Sequence, residues 1–190
     1  MKNFIKELNE VFSKIEVTDE KGKAVSLDKA IKRTVSLVLA HKRAGNKTIV
    51  IGNGGSASIA SHTAIDLLKN ANIPAIAFND SSLITCLSND LGYEFVFQKP
   101  VEMLSKKGDV LFSISSSGKS KNIVNASKAA KRKGCSVVTM SGFSSRNPLK
   151  KLGRINFYVP SGSYGYVEIA HAAICHCITD RLIEKNNSNG

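Results

Sequence analysis

Apolar residues recur along this chain with two periods, and the changes from one to the other outline its architecture. Over residues 3–15, Phe4, Ile5, Leu8, Val11, Phe12 and Ile15 fall on one stripe of a helix. A charged turn, Asp19-Glu20-Lys21-Gly22-Lys23, separates this stretch from a second helix that Ser26 can cap. Its Ile31, Val35, Leu37, Val38 and Leu39 form a broad apolar face, and it ends near Gly45-Asn46. From there short apolar runs alternate with helical stretches. Lys47 to Ile51 predicts a strand, Ser56 to Lys69 a helix, Pro74 to Phe78 a strand, and Phe95 to Leu104 a helix that takes Pro100 near its start or as a kink. Asp109 to Ile114 predicts a third strand and Lys121 to Lys133 a helix. Cys135 to Met140 and Ile155 to Val159 complete five strands, Tyr164 to Glu184 makes a last helix, and Asn186 to Gly190 reads as a frayed tail.

Strands separated by helices imply a parallel sheet covered on both faces, because a parallel crossover needs a helix. The expected fold class is therefore α/β, a three-layer α-β-α sandwich with a five-stranded parallel sheet, doubly wound and carrying extra N-terminal helices. Ligands of such sheets bind at the carboxyl ends of the strands. At 190 residues the chain suits one domain, with 1–45 as N-terminal helices, 46–185 as the α/β core and last helix, and 186–190 as the tail.

Composition changes this picture little. Hydrophobic residues at 42% and charged residues at 22% are ordinary globular values and argue against disorder. No apolar stretch reaches spanning length, and Met1-Lys2-Asn3-Phe4 leads into a charged helix instead of a signal sequence, so a cytoplasmic protein with no membrane contact is expected. Cys86, Cys135, Cys175 and Cys177 lack paired metal spacing and read as reduced, mostly buried thiols. The formal net charge is +12, yet the lysines lie scattered at Lys21, Lys23, Lys106, Lys107, 128–133, Lys150 and Lys151 without interleaved aromatics. That pattern argues against nucleic acid and for a solvated surface that attracts anionic metabolites.

Two turns carry candidate chemistry. After the first core strand, Asn53-Gly54-Gly55-Ser56 lets the backbone turn and approach a ligand, and Ser56 can cap the following helix. After the third, Ser115, Ser116, Ser117 and Ser120 set four hydroxyls beside Gly118 at a helix start. Hydroxyls with free helix-start amides bind a phosphate monoester without a metal.

Gly52-Asn53-Gly54-Gly55-Ser56, His62 with Asp66, the run from Ser88 to Glu94, Gly108-Asp109-Val110-Leu111, the run from Ile114 to Ser120, and Glu168 through His176 occur in this order. With them the chain resembles the sugar isomerase (SIS) domain family, of flavodoxin-like winding, and within it the bacterial phosphoheptose isomerases. The resemblance implies an aldose-ketose isomerase acting on sedoheptulose 7-phosphate, a homotetramer with zinc, that feeds heptose into lipopolysaccharide or capsule. It implies that Ser115, Ser116, Ser117 and Ser120 grip the phosphate, and that Asn53, Gly54, Gly55, Ser56, Asn89, Asp90 and Glu168 bind the sugar. Zinc would fall to His62, Asp66, Glu168 and His176, with Asp66, His176 and Glu168 as catalytic groups. Two positions depart from the familiar pattern, which has glutamate where Asp66 stands and glutamine where Glu168 stands.

The residue types suit that chemistry. Isomerisation needs a base beside the carbonyl carbon, a group to return the proton, and positive charge on the enediolate oxygens. His62 and Asp66 are four apart and share a helix face. Glu168 and His176 are eight apart, about 12 Å along a helix, so both reach one metal only by leaning inward past the small Ala172. His171 points elsewhere and reads as packing or interface. Asp66 is the first choice for the base, with Glu168 as the alternative should the two carboxylates exchange roles. Two rival functions stand beside this one: a non-catalytic SIS protein that binds a phosphosugar or the initiator DnaA, and an isomerase of a different sugar phosphate.

Overall fold

The computed structural model describes residues 1–187. It opens with α1 (Lys2–Ser13), a hairpin of β1 (Glu16–Asp19) and β2 (Ala24–Val25), and α2 (Leu27–Arg43). The core follows as β3 (Thr48–Ile51), α3 (Gly55–Lys69), β4 (Ala75–Ala77), α4 (Ser81–Leu91), a 3-10 turn at Tyr93–Phe95, α5 (Gln98–Leu104), β5 (Val110–Ser115) and α6 (Lys121–Arg132). It closes with β6 (Ser136–Ser141), a second 3-10 turn at Leu149–Lys151, β7 (Ile155–Tyr158) and α7 (Tyr164–Asn187).

All five expected strands form, and they pair in parallel in the order β7-β6-β5-β3-β4. Numbered among themselves, those five run 2-1-3-4-5 across the sheet, the flavodoxin-like winding, whose order reverses between β3 and β5. Helices α3 and α6 leave the carboxyl ends of β3 and β5 beside that reversal. Their side chains alternate between two cores as the pleat requires. Val50, Phe112, Val138 and Met140 face the residues of α2, α3 and α7, whereas Ile49, Ile51, Leu111 and Val137 face α5 and α6.

The structure departs from the expected outline at several points. The sheet has seven strands, because the charged turn at Asp19–Lys23 is the tip of a hairpin whose β1 pairs antiparallel with β7. In β1 only Val17 is buried, which leaves no periodic signal to read. The stretch 81–91 is helical although none of its residues is buried, and Asp80 caps it by accepting from the N–H of Leu83 at 2.9 Å. The helix expected from Phe95 begins at Gln98, so Pro100 sits in its first turn, where no helical N–H is lost. At the other end Asn186 belongs to α7 and its amide donates to the carbonyl of Ala71, so that part of the expected tail is docked. The rest of it, beyond residue 187, lies outside the described residues.

Lysines scattered in sequence also gather in space. Lys21, Lys23, Lys29, Lys32, Arg33 and Arg154 line an open cleft of about 760 Å³ that includes Ile155, the first residue of β7. That is the amino end of the sheet, opposite the two glycine turns. No helix among the described residues is long and apolar enough to cross a membrane.

Candidate functional site

Small residues bring α3 and α7 close enough to share a site. Ser56, Ala60, Thr63, Ala64 and Leu67 form the buried stripe of α3, and Val167, Ala170, Ile174, Cys175 and Ile178 are buried on α7. His62 and Asp66 each precede a buried residue of α3, and His176 follows Cys175, so all three stand on the rim of the helix pair. There Asp66 Oδ2 is 3.2 Å from His62 Nε2 and 3.7 Å from His176 Nδ1. The two imidazoles meet edge to face with centroids 5.1 Å apart. The Asp66 side chain is 17% exposed, against 62% for His62 and 52% for His176. Ligand atoms of the three residues all lie within 4.8 Å of one another. A depression of about 220 Å³ beside them is lined by Ser58, Ile59, Ala172 and Thr179, and Ala172 supplies the expected room.

Two imidazoles and a carboxylate are a donor set that fits zinc or a similar divalent ion with coordination positions left open. Glu168 stands outside this group. Its carboxylate packs over Gly55 so closely that a Cβ there would lie 2.4 Å from Oε2. A side chain at 55 would push the Glu168 carboxylate off the turn, so glycine here lets that carboxylate rest over the backbone.

The first turn begins the site differently from expectation. Ser56 does not cap α3: it is buried, and the cap position is Gly54 at φ +52° with no side-chain capping bond. A Cβ on Gly52 would meet the Ser56 carbonyl oxygen at 2.3 Å, so this turn is closed backbone against backbone. In the second turn Ser115 Oγ accepts from the N–H of Gly118 and donates to Ser120 Oγ, and Ser117 Oγ accepts from the N–H of Lys119. Ser116 Oγ is buried without a hydrogen-bond partner among the described residues. An orphan hydroxyl there leaves a donor for an anion. Asn89 and Asp90 lie exposed at the end of α4 and hydrogen-bond each other at 2.8 Å.

Sequence reasoning missed Asn122 and Tyr93. Asn122 pairs with Asn53, and the hydroxyl of Tyr93 lies 3.0 Å from Asn53 Oδ1. The available signal was a buried-type amide on the first turn of the helix after the serine run.

His171 is core, as its helix phase suggested. It is fully buried, and its Nε2–H donates to the Ser141 carbonyl at 3.3 Å, leaving Nδ1 unpaired among the described residues. Burial lowers its pKa from 6.5 to about 4. The unfolded chain takes up this proton near pH 6.5 and the folded one only near 4, so stability is full above 6.5 and falls between 6.5 and 4 by about 3 kcal/mol. Urea midpoints of the native protein should drop across that window, and those of His171→Gln should stay nearly flat; equal slopes would assign the loss to other groups. Asp109 titrates elsewhere. Burial alone would raise its carboxyl, but Lys47 and the backbone N–H groups of Lys106 and Lys47 outweigh it and hold it below 3.8, so its contribution is lost only at still lower pH.

Comparisons with known proteins agree with this arrangement. The SIS domain model matches residues 3–142. A phosphoheptose isomerase of Sulfurimonas denitrificans is 36% identical over 191 residues, covering 97% of this chain and 96% of its own. One from Geobacter sp. strain M21 is 38% identical over 165 residues, covering 84% and 85%. Among solved structures, the phosphoheptose isomerase of Neisseria gonorrhoeae superposes with a TM-score of 0.82 at 28% identity, covering 95% of this chain and 96% of that one. That of Francisella tularensis gives 0.76 at 30% identity, covering 82% and 85%. With the winding, the paired turns and the His-Asp-His rim in place, these relatives identify the chain as an isomerase of the SIS domain family, belonging with the phosphoheptose isomerases.

Proposed function

We propose that this chain, one SIS unit over residues 1–190, interconverts sedoheptulose 7-phosphate and D-glycero-D-manno-heptose 7-phosphate in the cytoplasm, as a homotetramer, to supply heptose for surface polysaccharide. The observation that carries the reading is the convergence within 4.8 Å of His62 and Asp66, on the helix that leaves the first glycine turn, with His176 of α7. His62 lies seven residues beyond Gly55, about 10 Å along α3, a span that suits the extended carbon chain of a heptose phosphate.

In this reading the serine turn takes the phosphate, supported by the orphan Ser116 hydroxyl and the free amides at the start of α6. Asn53, Gly54, Gly55, Asn89 and Asp90 face the sugar hydroxyls. Glu168 is assigned to the sugar, on the support of its carboxylate over Gly55. His62, Asp66 and His176 would hold the divalent ion, zinc by its donor preference, which when bound supplies positive charge at the enediolate oxygens. Asp66 removes the proton from the carbon beside the carbonyl, and His176 returns one to the neighbouring carbon. The partly shielded Asp66, set between two imidazoles, suits a group that moves a proton while water is kept back.

Incubation of the zinc-loaded protein with sedoheptulose 7-phosphate in deuterium oxide tests the reaction. Product aldose should carry one deuterium at the carbon next to the carbonyl. Tight binding of the ketose with neither exchange nor aldose would mark a non-catalytic phosphosugar binder instead.

A further inference from the structure

The two turns at the strand-order reversal are tied together through Asn53 by two side chains, Asn122 and Tyr93, that have no part in the roles assigned above. Asn122, on the first turn of α6 and 2% exposed, exchanges two hydrogen bonds with Asn53. Asn53 Nδ2 donates to Asn122 Oδ1, and Asn122 Nδ2 donates to Asn53 Oδ1, each at 2.9 Å. Tyr93, in the 3-10 turn that follows α4, brings its hydroxyl to 3.0 Å from the same Asn53 Oδ1.

The backbone fixes the polarity of this chain of bonds. The N–H of Ile123 lies in the first turn of α6 and donates to the Asn122 side chain at 2.9 Å. Only the amide oxygen can accept it, so Asn122 has its Oδ1 on that side and its Nδ2 toward Asn53. Asn53 must then turn its own oxygen to Asn122 Nδ2. That oxygen carries no proton, so the Tyr93 hydroxyl, which can give or take in general, must give here. Its single proton is committed to Asn53, and only lone pairs remain on its outer side. Asn53 is left in turn with one N–H unused among the described residues, its oxygen accepting twice.

We infer that Tyr93 is a specificity-determining residue: its oxygen accepts a hydrogen bond from a hydroxyl of the sugar chain bound along the first glycine turn. The inference rests on the reading of this crevice as a sugar phosphate site. A ligand group that only accepts, such as a carbonyl, ether or carboxylate oxygen, meets lone pairs at this position and is disfavoured. A hydroxyl, which can donate, is favoured. Tyr93 is suited to this by position, being 52% exposed and three residues beyond Asp90 in a segment already expected to face the sugar.

Tyr93→Phe removes the oxygen and keeps the ring, while Asn122 continues to hold Asn53. Calorimetric titration of both proteins with sedoheptulose 7-phosphate and with inorganic phosphate separates the outcomes. The variant should bind the sugar phosphate about tenfold more weakly and inorganic phosphate equally well, as expected for one lost hydrogen bond to a bound hydroxyl. In turnover the KM should rise by a similar factor with kcat within about twofold. Unchanged affinity for the sugar phosphate overturns the inference, and so does an equal loss for both ligands, which marks a merely structural role. Binding without turnover in the parent protein overturns the proposed reaction and leaves Tyr93 to be judged by the binding arms. Failure of the parent protein to bind the sugar phosphate overturns both.

Discussion

Asp66→Asn is expected to lower kcat about a thousandfold, within the range typical for loss of a positioned acid-base group. The substitution is isosteric, so the arrangement of α3 against α7 should persist and the thermal midpoint should stay within a few degrees. Asparagine keeps an oxygen that can accept from Asn70 Nδ2, as Asp66 Oδ1 does at 3.1 Å. It loses the anionic oxygen shared between His62 and His176, and with it both the base and the charged member of the ion-binding set. Solvent deuterium uptake should fall in step with turnover, because both require the same proton removal. Glu168→Gln is the companion measurement. With Glu168 over Gly55, outside the His-Asp-His group, its neutralisation should move KM more than kcat. The reverse pattern, with Glu168→Gln inactive and Asp66→Asn active within about threefold, would exchange the roles of the two carboxylates.

How much of this was legible from sequence depends on whether a residue's role is local. Four of the five parallel strands, β3, β5, β6 and β7, announce themselves as short apolar runs buried on both faces, whereas the edge strand β4 is legible only as a short apolar run after Pro74. His62 and Asp66 are legible for the same reason, since four residues on one helix fix their relative position whatever surrounds it. His176 joins them only through the packing of α7 on α3, and no spacing within α7 states how two helices will be set against each other. The resemblance supplied His176; the structure shows how it arrives. Glu168 shows the same dependence on packing. Spacing along α7 leaves it eight residues from His176, and only the packing of α7 on the glycine turn shows its carboxylate over Gly55 and apart from the His62, Asp66 and His176 group. The amino-terminal hairpin and α4 escaped because neither shows a fully buried periodic face: β1 is held by β7, and α4 by its Asp80 cap and the partly buried Leu83 and Leu87 against the core. The Asn53, Asn122 and Tyr93 chain spans 40 and 69 residues and exists only once the sheet brings β3 beside β5.

Gly118→Ala should destabilise the protein by about 3 kcal/mol and disable the serine turn. Two independent costs add here. Gly118 has φ +62°, a conformation in which a Cβ costs about 1–2 kcal/mol. The added carbon would also lie 2.1 Å from Asn147 Oδ1. Asn147 cannot yield easily. It is fully buried, its Nδ2 donates to Ser141 Oγ, Gly142 O and Ser144 O, and its Oδ1 accepts from the N–H of Lys150. Displacing it disturbs the end of β6 and, through the Leu149 N–H on the Gly118 carbonyl, pushes back on the turn that holds Ser115 to Ser120. For a chain of this length the loss corresponds to a fall of about 10 °C in thermal midpoint. Affinity for inorganic phosphate should fall in parallel, since the hydroxyls and amides of the turn would no longer converge. Gly118→Asn separates the two costs. Asparagine tolerates positive φ better than alanine but places its Cβ at the same point against Asn147, so it should recover the strain part of the loss and keep the part due to the clash. A Gly118→Asn protein with native stability would show that backbone strain, not the packing of Asn147, makes glycine necessary at this turn.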